Sequence, residues 1–457
     1  MKPGPVLFTV IFVWFLLGTV SFFWDFFSLV WIIFAVISLP LIIIDALLLF
    51  FLVDRLSVTR ELPSSLAQGE STWVKLTIAR ENNTGSLKKL LPAKIAIWDL
   101  YPSSMETDAF PAILDKKQLK FINIEPCIFE YKLTPKERGL WWFNETELLL
   151  SSFCRLWLLK REHRSSNFVR TYPNFNKMKA AAQMDLKGIL EKSGLKNIRM
   201  RGHGLEFSSL RDYKEGDSIK AIDWRATSRR QKVIIKEYQE ERDQQLLFLL
   251  DTGYRLHSWD TDHNNEKCLQ FDNALEASLL LSWISLKHGD SVGMGSFGSE
   301  SSNTQNRWLS PRKGLSTFPL LMNNFYDLQS SPSPSSPFSA LEEALTKLKR
   351  RTFIILISNL REEDNESLSL ILKHITKRHL LLFVSLREKE SELIAYREPK
   401  GTEEALETAA AFSYMISRRD LYRSWEHSGI LTMECSGSNL SSALINRYLD
   451  IKRSGRL

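Results

Sequence analysis

Carboxylates and guanidiniums crowd one short stretch of this chain: Glu206, Arg211, Asp212, Asp217 and Asp223, followed by Arg225, Arg229 and Arg230. Groups of opposite charge at such spacing form charge-assisted hydrogen bonds, which are stronger than neutral ones. Gly202, Gly204 and Gly216 interrupt the run and permit sharp backbone turns. Catalysis would need more than this. Glu206 and Asp217 could form an acid/base pair, and His203 could activate Ser208 or Ser209. No Gly-x-Ser-x-Gly elbow or cysteine partner accompanies them, so neither chemistry is forced. The stretch reads more simply as a clamp that fixes a loop onto the next domain, or as a docking surface. Its protein-binding candidates are Gly204, Glu206, Arg211, Tyr213, Gly216, Asp217, Asp223 and Trp224.

Metal and nucleotide motifs are sparse. Cys127, Cys154, Cys268 and Cys435 stand far apart, with no CxxC and no histidine at ligand spacing. That pattern argues against structural zinc and for reduced thiols in a reducing compartment. No Gly-x-x-x-x-Gly-Lys-Ser/Thr loop occurs, so any ATP hydrolysis must come from a partner.

The elements around the charged stretch fall into a regular plan. LLFLLD (246–251), SVGMGSF (291–297), FIILIS (353–358), LLLFVSL (380–386) and ILTMEC (430–435) read as strands. Helical patterns alternate with them at Asp272–Lys287, Ala340–Lys349, Glu366–Lys377 and Glu403–Trp425. Such alternation implies a doubly wound parallel sheet over residues 244–457. The SSPSPSSP run (330–337) reads as a mobile loop. Upstream, WVKLTIA, KIAIW, FINIE and FEYKL alternate with a period of two and are separated by turn formers. They predict a small, immunoglobulin-like β-sandwich over 58–170, a rigid spacer with Trp141, Trp142 and Phe143 among its core and sheet-face aromatics. Residues 171–243 form the linker and the charged stretch.

The first 54 residues differ from all of this. They carry one base (Lys2) against three acids (Asp25, Asp45, Asp54), a charge of −2 in a chain of +7, so the remainder carries +9. Val6–Trp24 and Phe26–Ile44 are apolar runs of about the 20 residues that span a bilayer. They predict a transmembrane helical hairpin with aromatics at its turn and Asp45 reaching polar headgroups. Lys2, Arg55 and Arg60 flank the pair, while its loop has no cation; the positive-inside rule then puts both termini, and the soluble domains, in the cytoplasm. A cleaved signal peptide fits less well, because a second apolar span follows the first. The surplus of nine positive charges suits anionic lipid or an acidic partner. It forms no single block, so no nucleic-acid partner is expected.

Residues 202–251, with LPSSLAQGE (62–70) and LTPKERGLWWF (133–143), resemble the domain-of-unknown-function-58 family, whose members join this stretch to a von Willebrand factor A-like domain. The resemblance implies an α/β fold: a transmembrane hairpin, a β-sandwich, then a von Willebrand A-like sheet. It also implies a MoxR-type AAA+ ATPase as partner, in a chaperone-like assembly role at the bacterial inner membrane. Metal-binding A domains hold a divalent ion on an Asp-x-Ser-x-Ser turn, a distant Thr and a distant Asp, oxygen donors that suit magnesium. This chain reads Asp251-Thr252-Gly253-Tyr254-Arg255, with Ser339 where the Thr would lie and Asn359 where the later Asp would lie. Gly253 and Arg255 remove both hydroxyls, Asn359 removes a charge, and Arg255 can put a guanidinium where the ion would sit. The expectation is a degenerate site at Asp251, Ser339 and Asn359, with no cofactor and no enzymatic activity. The rival from another class is a divalent-metal-dependent adhesion protein or hydrolase using the same strand-end position.

Overall fold

The computed structural model describes residues 1–53, 56–80, 94–110, 112–114, 127–175, 206–213, 222–239, 244–261, 267–298 and 306–456. FINIE, Gly204, Gly216, Asp217 and Arg55 lie outside them. The chain divides into two units, Met1–Asn174 and Phe175–Leu457.

The first unit begins with helices α1 (Pro5–Ser21) and α2 (Asp25–Val53). Pro5 opens α1, where its missing N–H costs nothing. Three residues join the helices and bring them back side by side. Trp14 stacks on Trp31 with ring centroids 5.3 Å apart. Gly18 lets the helices approach there, since a Cβ would sit 3.1 Å from the Trp31 indole nitrogen. Among the described residues, one helix is long and apolar enough to cross a membrane by itself, over Phe26–Phe50.

Strands β1 (Leu56–Glu61), β2 (Thr72–Arg80), β3 (Lys94–Asp99), β4 (Cys127–Pro135), β5 (Gly139–Ser151) and β6 (Trp157–Tyr172) follow. They make two sheets: β1-β2-β4 with Met105–Glu106, and β6-β5-β3 with Ala112–Leu114 and Lys2–Pro3 at its ends. Inward positions on alternate residues, such as Val74, Leu76 and Ile78 or Ile95 and Ile97, pack into one core. Phe143 lies in that core, whereas Trp142 faces outward against Phe168 at 5.5 Å.

Two sequence expectations change here. Arg60 is not a free cation beside the helices. It points inward from β1 to a buried ion pair with Asp99 of β3, and Nε donates to Asp99 Oδ2 at 3.0 Å. Thr146 and Tyr131 donate to the same carboxylate at 3.1 and 2.5 Å. Asp45 does not reach free toward headgroups either. It is 4 % exposed, because the turn between β5 and β6 packs on α2: Cys154 N donates to Asp45 Oδ1 at 3.2 Å, and Trp157 Nε1 to Ile42 O at 3.1 Å.

The second unit carries β7 (Glu206–Asp212), α3 (Trp224–Arg230), β8 (Ile234–Gln239), β9 (Gln245–Asp251), α4 (Gln270–Lys287), β10 (Ser291–Phe297), β11 (Trp308–Lys313), α5 (Thr317–Phe325) and α6 (Pro337–Lys347). Then come β12 (Thr352–Ile357), α7 (Asp364–Arg378), β13 (Leu380–Leu386), α8 (Lys389–Ala395), α9 (Thr402–His427), β14 (Leu431–Cys435) and α10 (Leu440–Arg453). The main sheet has the order β11-β10-β9-β12-β13-β14, parallel except for β11 at its edge. Leu246, Phe248 and Leu250 of β9 pack with α4, α5 and α10. Leu247 and Leu249, one residue out of phase, pack with α6, α7 and α9 on the other face. Both faces are covered, which is why these strands read as unbroken apolar runs.

Candidate functional site

Strand order reverses between β9 and β12, so the crevice beyond their carboxyl ends is the switch point where doubly wound sheets collect ligands. Asp251 ends β9 there and is fully buried. Its Oδ1 accepts the Gly253 N–H at 2.8 Å; its Oδ2 accepts the hydroxyls of Ser335 at 2.9 Å and Ser358 at 2.6 Å. Burial pushes the Asp251 carboxyl above its ordinary range, against the lowering effect of Ser358, Gly253, Ser335 and Arg255.

Arg255 stands beside this carboxylate, Nη1 to Oδ2 3.9 Å, but spends its hydrogen bonds elsewhere. Nη1 donates to Ser335 O at 2.7 Å and Ser335 Oγ at 2.6 Å, and Nη2 donates to Asp364 Oδ1 at 2.7 Å. The guanidinium therefore ties the turn after β9, the segment before α6 and the start of α7 into one network. The Ser330–Pro337 run, expected to be mobile, is anchored across the strand end. Ser331 N donates to Thr252 O at 2.7 Å, and Tyr254 N to Ser333 O at 3.0 Å. Gly253 is required by this packing: a Cβ would meet Ser335 Cβ at 2.7 Å and Ser333 O at 2.8 Å. Gly298, at φ +95°, leaves room on the other side in the same way.

Ser339 is not part of this arrangement. It is exposed in the first turn of α6, where its N–H and hydroxyl meet the capping Ser336 Oγ. The hydroxyl that reaches Asp251 comes from Ser335, four residues earlier, because Ser336 already starts the helix. Asn359 lies near the site yet serves neighbouring strands. Its Oδ1 accepts Leu386 N at 2.8 Å, and its Nδ2 donates to Gln270 Oε1 at 2.7 Å and Arg255 O at 3.3 Å. Beyond it, Arg418 Nη2 donates to Leu386 O at 2.7 Å, and Tyr422 donates to Ser385 Oγ at 2.9 Å.

The donor set does not match a magnesium ion. Of the expected oxygens, only Asp251 is in place, and both its oxygens already accept protein donors. No group of three or more His, Cys, Asp or Glu side chains able to hold a metal occurs among the described residues. What the site presents outward is a half-buried rim. Arg361 lies over Tyr254 at 5.4 Å and Tyr414 at 6.0 Å, and Tyr414 donates to Glu388 at 3.1 Å.

The charged stretch is a separate feature of the same unit. β7 and β8 pair antiparallel, with a register shift between Phe207 and Ser209. Glu206 and Arg211 lie on β7. Asp223 caps α3, accepting the N–H groups of Arg225 and Ala226 at 3.0 and 3.1 Å. Tyr213 and Trp224 are 37 % and 67 % exposed, so both aromatics are open to a partner. Sequence reasoning missed Ser335, Ser358, Gln270 and Asp364. Ser358, next to Asn359 at a strand end, was the one with a visible signal.

Comparison with known proteins finds a family model and several distant solved structures. Residues 209–408 match the family model described as Protein of unknown function DUF58. Among solved structures, a conserved hypothetical protein, BatB from Bacteroides thetaiotaomicron, is 12% identical; the match covers 46% of this chain and 99% of that one, with a TM-score of 0.30. A von Willebrand factor type A protein from Catenulispora acidiphila is 8% identical over 47% of this chain and 43% of that one, with a TM-score of 0.26. A cohesin module from Clostridium perfringens is 12% identical over 26% and 98%, with a TM-score of 0.17. No curated protein matches.

Proposed function

We propose that this chain, whose residues 209–408 carry the DUF58 region, is a membrane-anchored protein-interaction and assembly factor without enzymatic activity of its own. The observation that carries the reading is Asp251, whose two oxygens are taken by Gly253, Ser335 and Ser358 with Arg255 alongside. A strand-end carboxylate so enclosed fixes a surface. The rim of Tyr254, Arg361 and Tyr414, with the β7–β8 hairpin, is the surface offered to a partner.

α1 and α2 serve as a two-pass anchor with the remaining domains in the cytoplasm. Seventeen residues of α1 and the stretch of α2 before Ile42 each rise about 26 Å, near the hydrocarbon thickness. The family resemblance supplies the partner, a MoxR-type AAA+ ATPase whose hydrolysis would drive the assembly step. Co-purification of the detergent-solubilised full chain with that ATPase tests the proposal. Capture should fall with substitutions at Arg211 or Asp217. No co-elution, or capture that those substitutions leave unchanged, would overturn it.

A further inference from the structure

The junction of helices and sandwich holds a feature that the anchoring role leaves unexplained. An apolar groove of about 400 Å³ runs between α1 and α2, lined by Val10, Val30, Ile33, Phe34, Ile37 and Leu41. Its sandwich end is closed by Leu156, from the turn between β5 and β6. That turn is locked to both helices: Gly4 N donates to Leu156 O at 2.7 Å, and Cys154 N donates to Asp45.

Next to Leu156 stands Arg155, exposed and at φ +58°. Lys2, also exposed, pairs across from Leu158 on β6. Neither side chain has an ion-pair partner among the described residues, although buried or paired cations are common elsewhere in the unit. Phe153, on the same turn, is 55 % exposed. The groove's end at Leu156, the cation Arg155 and the exposed aromatic Phe153 thus fall within four residues of one turn, with Lys2 on the strand paired beside it.

We propose that this junction binds one anionic phospholipid. An acyl chain lies in the α1–α2 groove up to Leu156, and the headgroup phosphate is met by Arg155 and Lys2. Phe153 sits beside it at the acyl boundary. Hydrocarbon alone would fill the groove with any lipid; the two cations select the anionic one, because each basic group near an anionic lipid surface adds to binding. The proposal rests on the membrane reading above.

The test uses the full chain, delipidated in a neutral detergent, with phosphatidylglycerol or phosphatidylcholine added back. Native mass spectrometry counts retained lipid. Phosphatidylglycerol should be retained in preference, one per chain, and water-soluble glycerophosphate should not displace it. Lys2→Gln with Arg155→Asn, the latter tolerant of positive φ, should weaken phosphatidylglycerol by about thirtyfold and leave phosphatidylcholine unchanged. Ile37→Trp should exclude both lipids. Equal retention of the two lipids by the natural chain, or unchanged retention by the double variant, would overturn the proposal. Vesicle flotation separates the two readings. A chain that floats with vesicles but does not discriminate loses only the lipid site; one that fails to float loses the anchor and the lipid site together.

Discussion

Gly253→Ser would rebuild one of the two hydroxyls that metal-binding A domains carry, and the packing around it sets a definite cost. The new Cβ would lie 2.7 Å from Ser335 Cβ and 2.8 Å from Ser333 O, well inside contact distance, and neither neighbour is the end of a flexible side chain. Accommodating it means moving the Ser330–Pro337 segment. Overpacking of this kind costs about 1–3 kcal/mol. Displacing Ser335 also loses its hydrogen bond to a buried carboxylate, about 1.5–3 kcal/mol more. The sum, about 2.5–6 kcal/mol, should lower the second unit's thermal midpoint by about 5–12 °C. Melting of the full chain in detergent measures the midpoint, and hydrogen exchange on peptides over 245–256 assigns the change to this strand end. Gly401→Ser is the control, since nothing lies within 4 Å of a Cβ there. A Gly253→Ser chain that melts and exchanges like the natural one would refute the packing argument.

Other consequences follow from buried charge. Arg60→Met strands Asp99 in the sandwich core and should cost about 3–5 kcal/mol, whereas Arg60→Met with Asp99→Leu should recover most of that loss in a double-mutant cycle. Asp251 has a folded-state pKa raised by burial, so its ionisation opposes folding, and stability falls as pH rises from its ordinary value of 3.8 through the raised one. Asp251→Asn should remove that slope in denaturation curves taken across acidic pH; an unchanged slope would assign it to other groups. His379 behaves in the opposite sense. Burial, with Arg378 nearby, lowers its pKa below 6.5, and its Nδ1 accepts Thr352 N at 3.2 Å. Stability should be full above about pH 6.5 and lost as pH falls through the lowered value, and His379→Gln should flatten that loss.

The doubly wound sheet was legible because both its faces are covered. β12 is buried throughout, and β9 and β13 are buried after their first residue; such strands appear in the sequence as apolar runs. SVGMGSF and LLLFVSL were read with the bounds observed for β10 and β13. The edge strand β11 was missed, as WLSPRK carries a proline and charges that no central strand would. At the site, the departure of Gly253 and Arg255 from a metal-binding turn was visible, but the serine hydroxyl that bonds Asp251 was not. Ser335 lies 84 residues from Asp251 in a Ser/Pro run of low complexity, and nothing local marks one serine among several. Arg60 and Asp99 are 39 residues apart, and their pairing depends on which face of each strand turns inward. Asp45 shows the limit of hydropathy: an apolar run sets a helix and its length, yet the turn that docks on it comes from residues 109 positions away.

Equilibrium dialysis of the full chain against manganese tests the protein-sealed strand end most directly. No saturable site is expected, with the natural chain and Asp251→Asn giving the same trace. Stoichiometric manganese that Asp251→Asn abolishes would show that the carboxylate serves an ion after all.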